Sequence, residues 1–527
     1  MRDAVTLDDK YTEQSGRIYL NGMHALVRIP MMQFELDRAA GLKTATFISG
    51  YRGSPLGGLD QAIAAAKKFT GPHEIKFVPA VNEDLGATAV WGSQQLNLGP
   101  GSRYDGIVGM WYGKGPGVDR SIDVLKHANA AGSSKHGGVL ALAGDDHACK
   151  SSTFPHQSEQ AFMHAMIPVL HPAGIDDALN LGLHGIAMSR YSGAWTAFKV
   201  ISDFADSSAS VNTDPFALTF NRPTDFEMPK DGLNIRWYDP PVAQEERLVN
   251  WKLPAAQAYA RANGLDRLTL NPAKKRIAIV ATGKAWMDTM QALDDLGIPK
   301  KRAEEMGIAV YKVALVWPLE PQGILRLASE VEELFVVEEK RGVIEEQIKK
   351  YLFNLPADKR PRVTGKTDER GAPLLPETYE LSPGQIADAL LKRLAPLTDT
   401  SSFTERMGII HKNFDLKGQP SPVVRMPWYC SGCPHNTSTV VPEGSRALAG
   451  IGCHYMAMWM DRSTYMFTQM GGEGVPWVGQ QPFTDEKHVF SNLGDGTYFH
   501  SGLLAIRQSI AAKSNITYKI LYNDAVA

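Results

Sequence analysis

The chain has 527 residues, too many for a single hydrophobic core, so about three domains are expected. Its hydrophobic content of 43%, charged content of 21% and net charge of −2 are ordinary for a globular protein and give no electrostatic case for binding nucleic acid or an anionic membrane. No apolar run approaches a membrane span, and Asp3, Asp8 and Asp9 fall where a signal peptide needs an apolar core, so a cytoplasmic protein is expected.

In chain order, residues 44–51 read as a strand entering a Gly/Pro-rich loop, 52–58, with a helix over 60–68. Residues 75–81 are strand-like, 83–95 helical with small residues throughout, and 106–111 and 137–144 buried strands. This alternation predicts a parallel α/β domain over 1–225. A Pro-rich polar stretch makes 226–270 a linker or surface excursion. A second α/β unit over 271–400 holds strands at 276–283, 308–313 and 333–339 and helices at 344–352 and 384–394. A third, 401–527, holds three of the four cysteines. It ends in a strand over 488–493, a helix over 501–513 and a strand over 518–522. The fold class predicted is α/β, multi-domain, with parallel sheets. Because the chain stops just after a presumed core strand, it is expected to be part of a longer polypeptide.

Two constellations carry chemistry. The first is Gly494-Asp495-Gly496 followed by Asn523, an acid and a carboxamide at the tips of two strands joined by a helical crossover. Two hard oxygen ligands suit a Mg²⁺ that keeps its other positions for water and phosphate oxygens, and the glycines let the backbone approach a diphosphate. The second is Cys430-Ser431-Gly432-Cys433-Pro434-His435 with Gly452-Cys453-His454. A CxxC puts two thiolates on one tight loop, and a third Cys can close around the same metal. Zinc, with His435 or His454 as fourth ligand, and an iron–sulfur cluster both fit this set.

The order of the Tyr51-Arg52-Gly53-Ser54-Pro55 loop, Asn82-Glu83, Gly144-Asp145-Asp146, the two cysteine segments, Gly494-Asp495-Gly496 and Asn523 resembles the 2-oxoacid:ferredoxin oxidoreductases, and most of all the indolepyruvate branch in its long single-chain form. The resemblance implies a thiamine-diphosphate-binding fold, with pyrimidine-type and diphosphate-type domains and a transketolase C-terminal-like domain between them. It implies thiamine diphosphate, Mg²⁺ and a 4Fe–4S cluster as cofactors, and a 2-oxoacid, coenzyme A and ferredoxin as partners, in a homodimer. The implied reaction is oxidative decarboxylation of an aryl 2-oxoacid to an acyl-CoA. By the same resemblance Asp495, Asn523 and the carbonyl of Ala525 match the Mg²⁺ ligands, and Gly494 and Gly496 the diphosphate loop. Cys430, Cys433 and Cys453 match three cluster ligands, with the fourth expected beyond Ala527. Glu83 matches the carboxylate that activates the cofactor's aminopyrimidine, which requires it to be buried. Ser54 stands where a hydroxyl holds the 2-oxoacid carboxylate, with Arg52, Lys114 or Arg120 as its cation. No ferredoxin-like run of four cysteines occurs, so at most one cluster is supported. The competing expectations are a thiamine enzyme without redox chemistry, a decarboxylase or carboligase, and an inactive fragment or binding subunit that needs downstream sequence.

Overall fold

The computed structural model describes residues 5–418, 423 and 426–522. The chain divides into two compact units, Met1–Gly418 and Gln419–Ala527.

The first unit holds two large sheets. The seven-stranded sheet runs Leu315–Trp317, Val169–Leu170, Thr196–Ile201, Val139–Asp145, Gly106–Lys114, Thr44–Gly50, Ile75–Phe77. Every pairing is parallel except that of Leu315–Trp317 at one edge. Its central strands are buried along their whole length, as a parallel sheet covered on both faces requires. The helices Gly22–Ala39 and Ile175–Ser192 pack on it, and neither was recognised in the sequence. The five-stranded sheet runs Arg362–Thr364, Glu333–Val337, Ile277–Thr282, Ile308–Val313, Arg267–Leu270, with only the last strand antiparallel.

Three local readings need correction. The strand predicted over 106–111 extends to Lys114 and passes directly into the helix Gly115–Arg120. The excursion at 226–270 contains the helices Pro241–Arg247 and Leu253–Ala262, joined by one wide turn, Leu248–Lys252. The CxxC segment, read only as a tight loop, runs straight into a single helical turn, His435–Ser438.

That wide turn buries Lys252 completely. Its ammonium donates to the carbonyls of Asn129 (3.3 Å) and Ala130 (2.9 Å), at the C-terminal end of the helix Ile122–Ala131. Burial, with Arg247 adding repulsion, lowers its pKa from 10.5 to about 7. The unfolded chain therefore binds this proton more tightly between those values. Stability gained above pH 10.5 is lost as pH falls to 7, by at most about 1.4 kcal/mol per pH unit. Thermal midpoints of wild type and Lys252→Met, measured from pH 7 to 9, should show a smaller rise in the variant. Parallel curves would reject the assignment.

The second unit carries a four-stranded parallel sheet, Thr464–Tyr465, Ala447–Leu448, Val489–Gly494, Ile516–Leu521. The last strand is followed in sequence by Asn523 and Ala525, which lie outside the described residues.

Candidate active-site elements

In a parallel α/β sheet the natural crevice lies beyond the carboxyl ends of two adjacent strands whose outgoing connections turn to opposite sides. Each of the three parallel sheets has one such point. In the seven-stranded sheet, Thr44–Gly50 leads to Ile75–Phe77 on one side while Gly106–Lys114 leads to Val139–Asp145 on the other. The residues at this point are the Arg52–Ser54 loop and the segment from Tyr112 to Gly117.

Glu83 is held at the same edge. It is the first residue of the helix Glu83–Gln94, whose N-cap Asn82 accepts the N–H of Leu85 at 3.1 Å. The helix sits close on the sheet because both contact residues are glycines: a Cβ on Gly86 would come 3.0 Å from the Gly50 Cα. The Trp111 indole N–H donates to the Glu83 carbonyl at 2.9 Å. The Glu83 side chain, 7% exposed, lies beneath Gly117, where an added Cβ would stand 2.4 Å from its Cγ and 2.7 Å from Oε1. The sequence reading placed Glu83 in a buried site but missed the glycine that makes room for it. Gly117→Ala is accordingly expected to push the carboxylate aside and lower turnover by up to about 10²-fold, the scale of a misplacement near 1 Å. Steady-state kinetics showing full activity would contradict this.

Arg52 and Ser54 are exposed on the neighbouring loop. Gly53 lies under the Lys114 stem, 3.1 Å from its Cβ for an added methyl. Asp60 has its pKa raised by burial, opposed by the Tyr112 hydroxyl and the Arg52 charge. Of the three candidate cations, Lys114 is turned to the Ser151 carbonyl at 2.6 Å, and Arg120 lies 3.7 Å from Asp84. Arg52 remains on the loop beside Ser54.

The Gly144-Asp145-Asp146-His147 segment proves to be architectural. Asp145 accepts the Ser158 N–H and hydroxyl at 2.9 and 2.5 Å and faces Lys199 at 3.3 Å. Asp146 collects the N–H groups of Lys150 and Ser151 and the Ser152 hydroxyl. Burial opposes ionisation there, but these donors hold the carboxyl below its usual range. The Ser151 and Ser152 hydroxyls both donate to Asp146 and so help to close this turn.

The corresponding point of the five-stranded sheet, between Thr282 and Val337, is filled from within. Gly283 presses on the His171 ring, and Lys284 binds Asp288 at 2.6 Å and faces Glu339 at 3.5 Å.

In the second unit the equivalent point lies between Ala447–Leu448, which leads to Thr464–Tyr465, and Val489–Gly494, which leads to Ile516–Leu521. The first strand delivers the loop ending in Cys453-His454 and the second delivers Asp495. Both signature segments of this unit thus meet at one crevice. Asp495 is 7% exposed, with the Gly496 N–H on its Oδ1 at 2.9 Å. Its charge acts on both His435 and His454. Cys430 and Cys433 share a turn closed by the Cys433 N–H on the Cys430 carbonyl at 3.0 Å. Burial raises the Cys453 pKa, and the nearby Cys433 and Cys430 raise it further, so the three thiols share one neighbourhood. A cation among them would reverse that mutual penalty. Among the described residues no three His, Cys, Asp or Glu side chains are arranged as a metal site.

Glu473 was also missed. Fully buried, it accepts the N–H of Gly471 (2.7 Å) and Ile451 (3.4 Å), tying the run Gly471-Gly472-Glu473-Gly474 to the Cys453 loop. That acid inside a glycine run was the available signal.

The fold is shared with a solved structure, 2-oxoglutarate:ferredoxin oxidoreductase from Magnetococcus marinus with 2-oxoglutarate, coenzyme A and succinyl-CoA bound. The TM-score is 0.50 at 14% identity, over 72% of this chain and 65% of that one, just under two thirds of its length. The likeness shows a shared α/β fold with mostly parallel sheets, consistent with a thiamine-diphosphate-binding fold. Residues 267–413 match the indolepyruvate oxidoreductase domain. The chain is 23% identical over 536 residues to indolepyruvate oxidoreductase subunit IorA of Thermococcus kodakarensis, and 23% over 538 residues to that of Pyrococcus abyssi; each match covers 97% of this chain and 75% of the relative. The chain is thus similar to indolepyruvate oxidoreductase subunits over nearly its whole length. No helix among the described residues is long and apolar enough to cross a membrane.

Proposed function

We propose that the chain carries the thiamine-diphosphate machinery of a cytoplasmic, homodimeric 2-oxoacid oxidoreductase. It would convert an aryl 2-oxoacid of the indolepyruvate type to an acyl-CoA and pass single electrons through a 4Fe–4S cluster to ferredoxin. The observation that supports this best is that Arg52 and Ser54 in the first unit, and Cys453 and Asp495 in the second, follow the strands that flank their own sheet's topological crevice. When bound, thiamine diphosphate supplies a carbanion nucleophile and an electron sink for loss of carbon dioxide, and a 4Fe–4S cluster suits single-electron transfer at low potential.

The residues divide the work. Glu83, buried in the first unit, holds a proton for the aminopyrimidine nitrogen. Ser54 and Arg52, exposed on their loop, bind the substrate carboxylate through a hydroxyl and a guanidinium. In the second unit Asp495, with Asn523 and the carbonyl of Ala525, would hold Mg²⁺ and through it the diphosphate, with Gly494 and Gly496 leaving room for phosphate oxygens. Cys430, Cys433 and Cys453 would supply three cluster thiolates.

The test is anaerobic turnover by the full-length protein with indolepyruvate, thiamine diphosphate, Mg²⁺, coenzyme A and a viologen dye. Dye reduction that requires both the 2-oxoacid and coenzyme A is expected. Carbon dioxide release without dye reduction would instead indicate a non-redox decarboxylase.

A further inference from the structure

The sequence offers His454 as a possible zinc ligand, but its surroundings point elsewhere. The ring is 2% exposed and sits among three glycines from two different loops. A Cβ on Gly450 would stand 2.4 Å from its Nε2, one on Gly452 3.2 Å from its Cε1, and one on Gly494 3.0 Å from the same Cε1. Gly450 and Gly452 belong to the loop that carries Cys453, whereas Gly494 immediately precedes Asp495. On its remaining side the ring meets His435 of the CxxC segment, edge to face, with centroids 6.1 Å apart, and His435 in turn meets Tyr429 at 5.6 Å. Burial, reinforced by His435 and opposed by Asp495, lowers the His454 pKa to about 4, so the ring is neutral. Its Nε2 has no hydrogen-bond partner among the described residues. One imidazole thus lies wherever the thiol loops and the diphosphate loop meet.

We infer that His454 is a positioning residue, a wedge between the Cys453 loop and the Gly494-Asp495 loop that makes occupancy of the thiol site and of the diphosphate site thermodynamically interdependent. The inference rests on the proposed function and adds a coupling to it. The physical basis is close packing. A rigid ring packed against glycines of two backbone segments leaves no slack, so a shift of either loop on loading must be passed to the other. Coupling of this kind is reciprocal and commonly amounts to about 5- to 150-fold in affinity.

The test measures thiamine diphosphate affinity by calorimetry, with Mg²⁺, on anaerobic full-length protein before and after iron is removed by chelation. Wild type should bind at least about 5-fold more weakly without iron. In His454→Ala that ratio should fall toward one, even where both absolute affinities are reduced. His454→Gln, which keeps length and polarity, should restore part of it and guards against a misfolded alanine variant. Gly450→Ala, whose methyl would press on the ring at Nε2 and on the Asn492 carbonyl beside it, should mimic the loss. A purely structural role would lower stability and leave the ratio unchanged, and that result, or equal wild-type affinity with and without iron, would overturn the proposal. Wild type that binds neither iron nor the cofactor would instead refute the functional reading beneath it.

Discussion

Glu83→Gln is expected to reduce 2-oxoacid turnover by about 10²–10⁴-fold, the range for removing a positioned acid–base group, while far-UV circular dichroism and the thermal midpoint stay near wild type. The structure gives the reason for both halves. Glutamine keeps the volume that fills the space beneath Gly117 and leaves the main-chain bond from Trp111 to residue 83 intact. What is lost is a carboxyl proton, because an amide cannot exchange one with the cofactor. Cofactor affinity should change far less than turnover, so a kcat loss without a matching loss of binding marks the role as chemical. Wild-type turnover in this variant would remove Glu83 from the mechanism.

Cys433→Ser is expected to lose bound iron and, with it, dye reduction. The substitution is conservative for the fold, since the turn is closed by the main-chain bond between Cys433 and Cys430 rather than by the side chain. A serine hydroxyl is a poor ligand for iron, and the remaining Cys430 and Cys453 would be left with one thiolate fewer to hold a cluster. Metal analysis of anaerobic full-length protein decides between the two metals the cysteine spacing allows. Iron present in wild type and absent in the variant supports the cluster. Zinc in wild type would favour a structural site. Iron content unchanged by the substitution would reject the cysteines as ligands.

The architecture was legible because parallel strands buried on both faces announce themselves as apolar runs: 139–145, 277–282, 308–313 and 489–494 were each located to within a few residues. The helices Gly22–Ala39 and Ile175–Ser192 were not. They are buried on most of their circumference, which erases the apolar stripe that marks a surface helix. The strand predicted over 106–111 ends too early because a glycine-rich sequence reads as a loop, whereas here the glycines serve close packing: Gly113 and Gly117 both border Glu83. Asp495 and the cysteines stood out as candidate ligands because the spacing of a ligand set is a local property of the sequence. The roles of Glu473 and His454 did not, because each is defined by a neighbour brought from a distant strand end. Asn523 and Ala525, two of the three proposed Mg²⁺ ligands, lie outside the described residues, so that assignment rests on Asp495.

The central claim is that Asp495 tethers a pyrophosphorylated cofactor through a divalent ion. Calorimetric titration of thiamine diphosphate into the full-length protein tests it most directly, with Mg²⁺, with EDTA, and for Asp495→Ala. One molecule bound per chain, with affinity falling more than about 10-fold both on chelation and in the variant, is the result this account predicts; a loss of about 1.4 kcal/mol corresponds to each tenfold change. Binding indifferent to Mg²⁺ and to Asp495→Ala would contradict it.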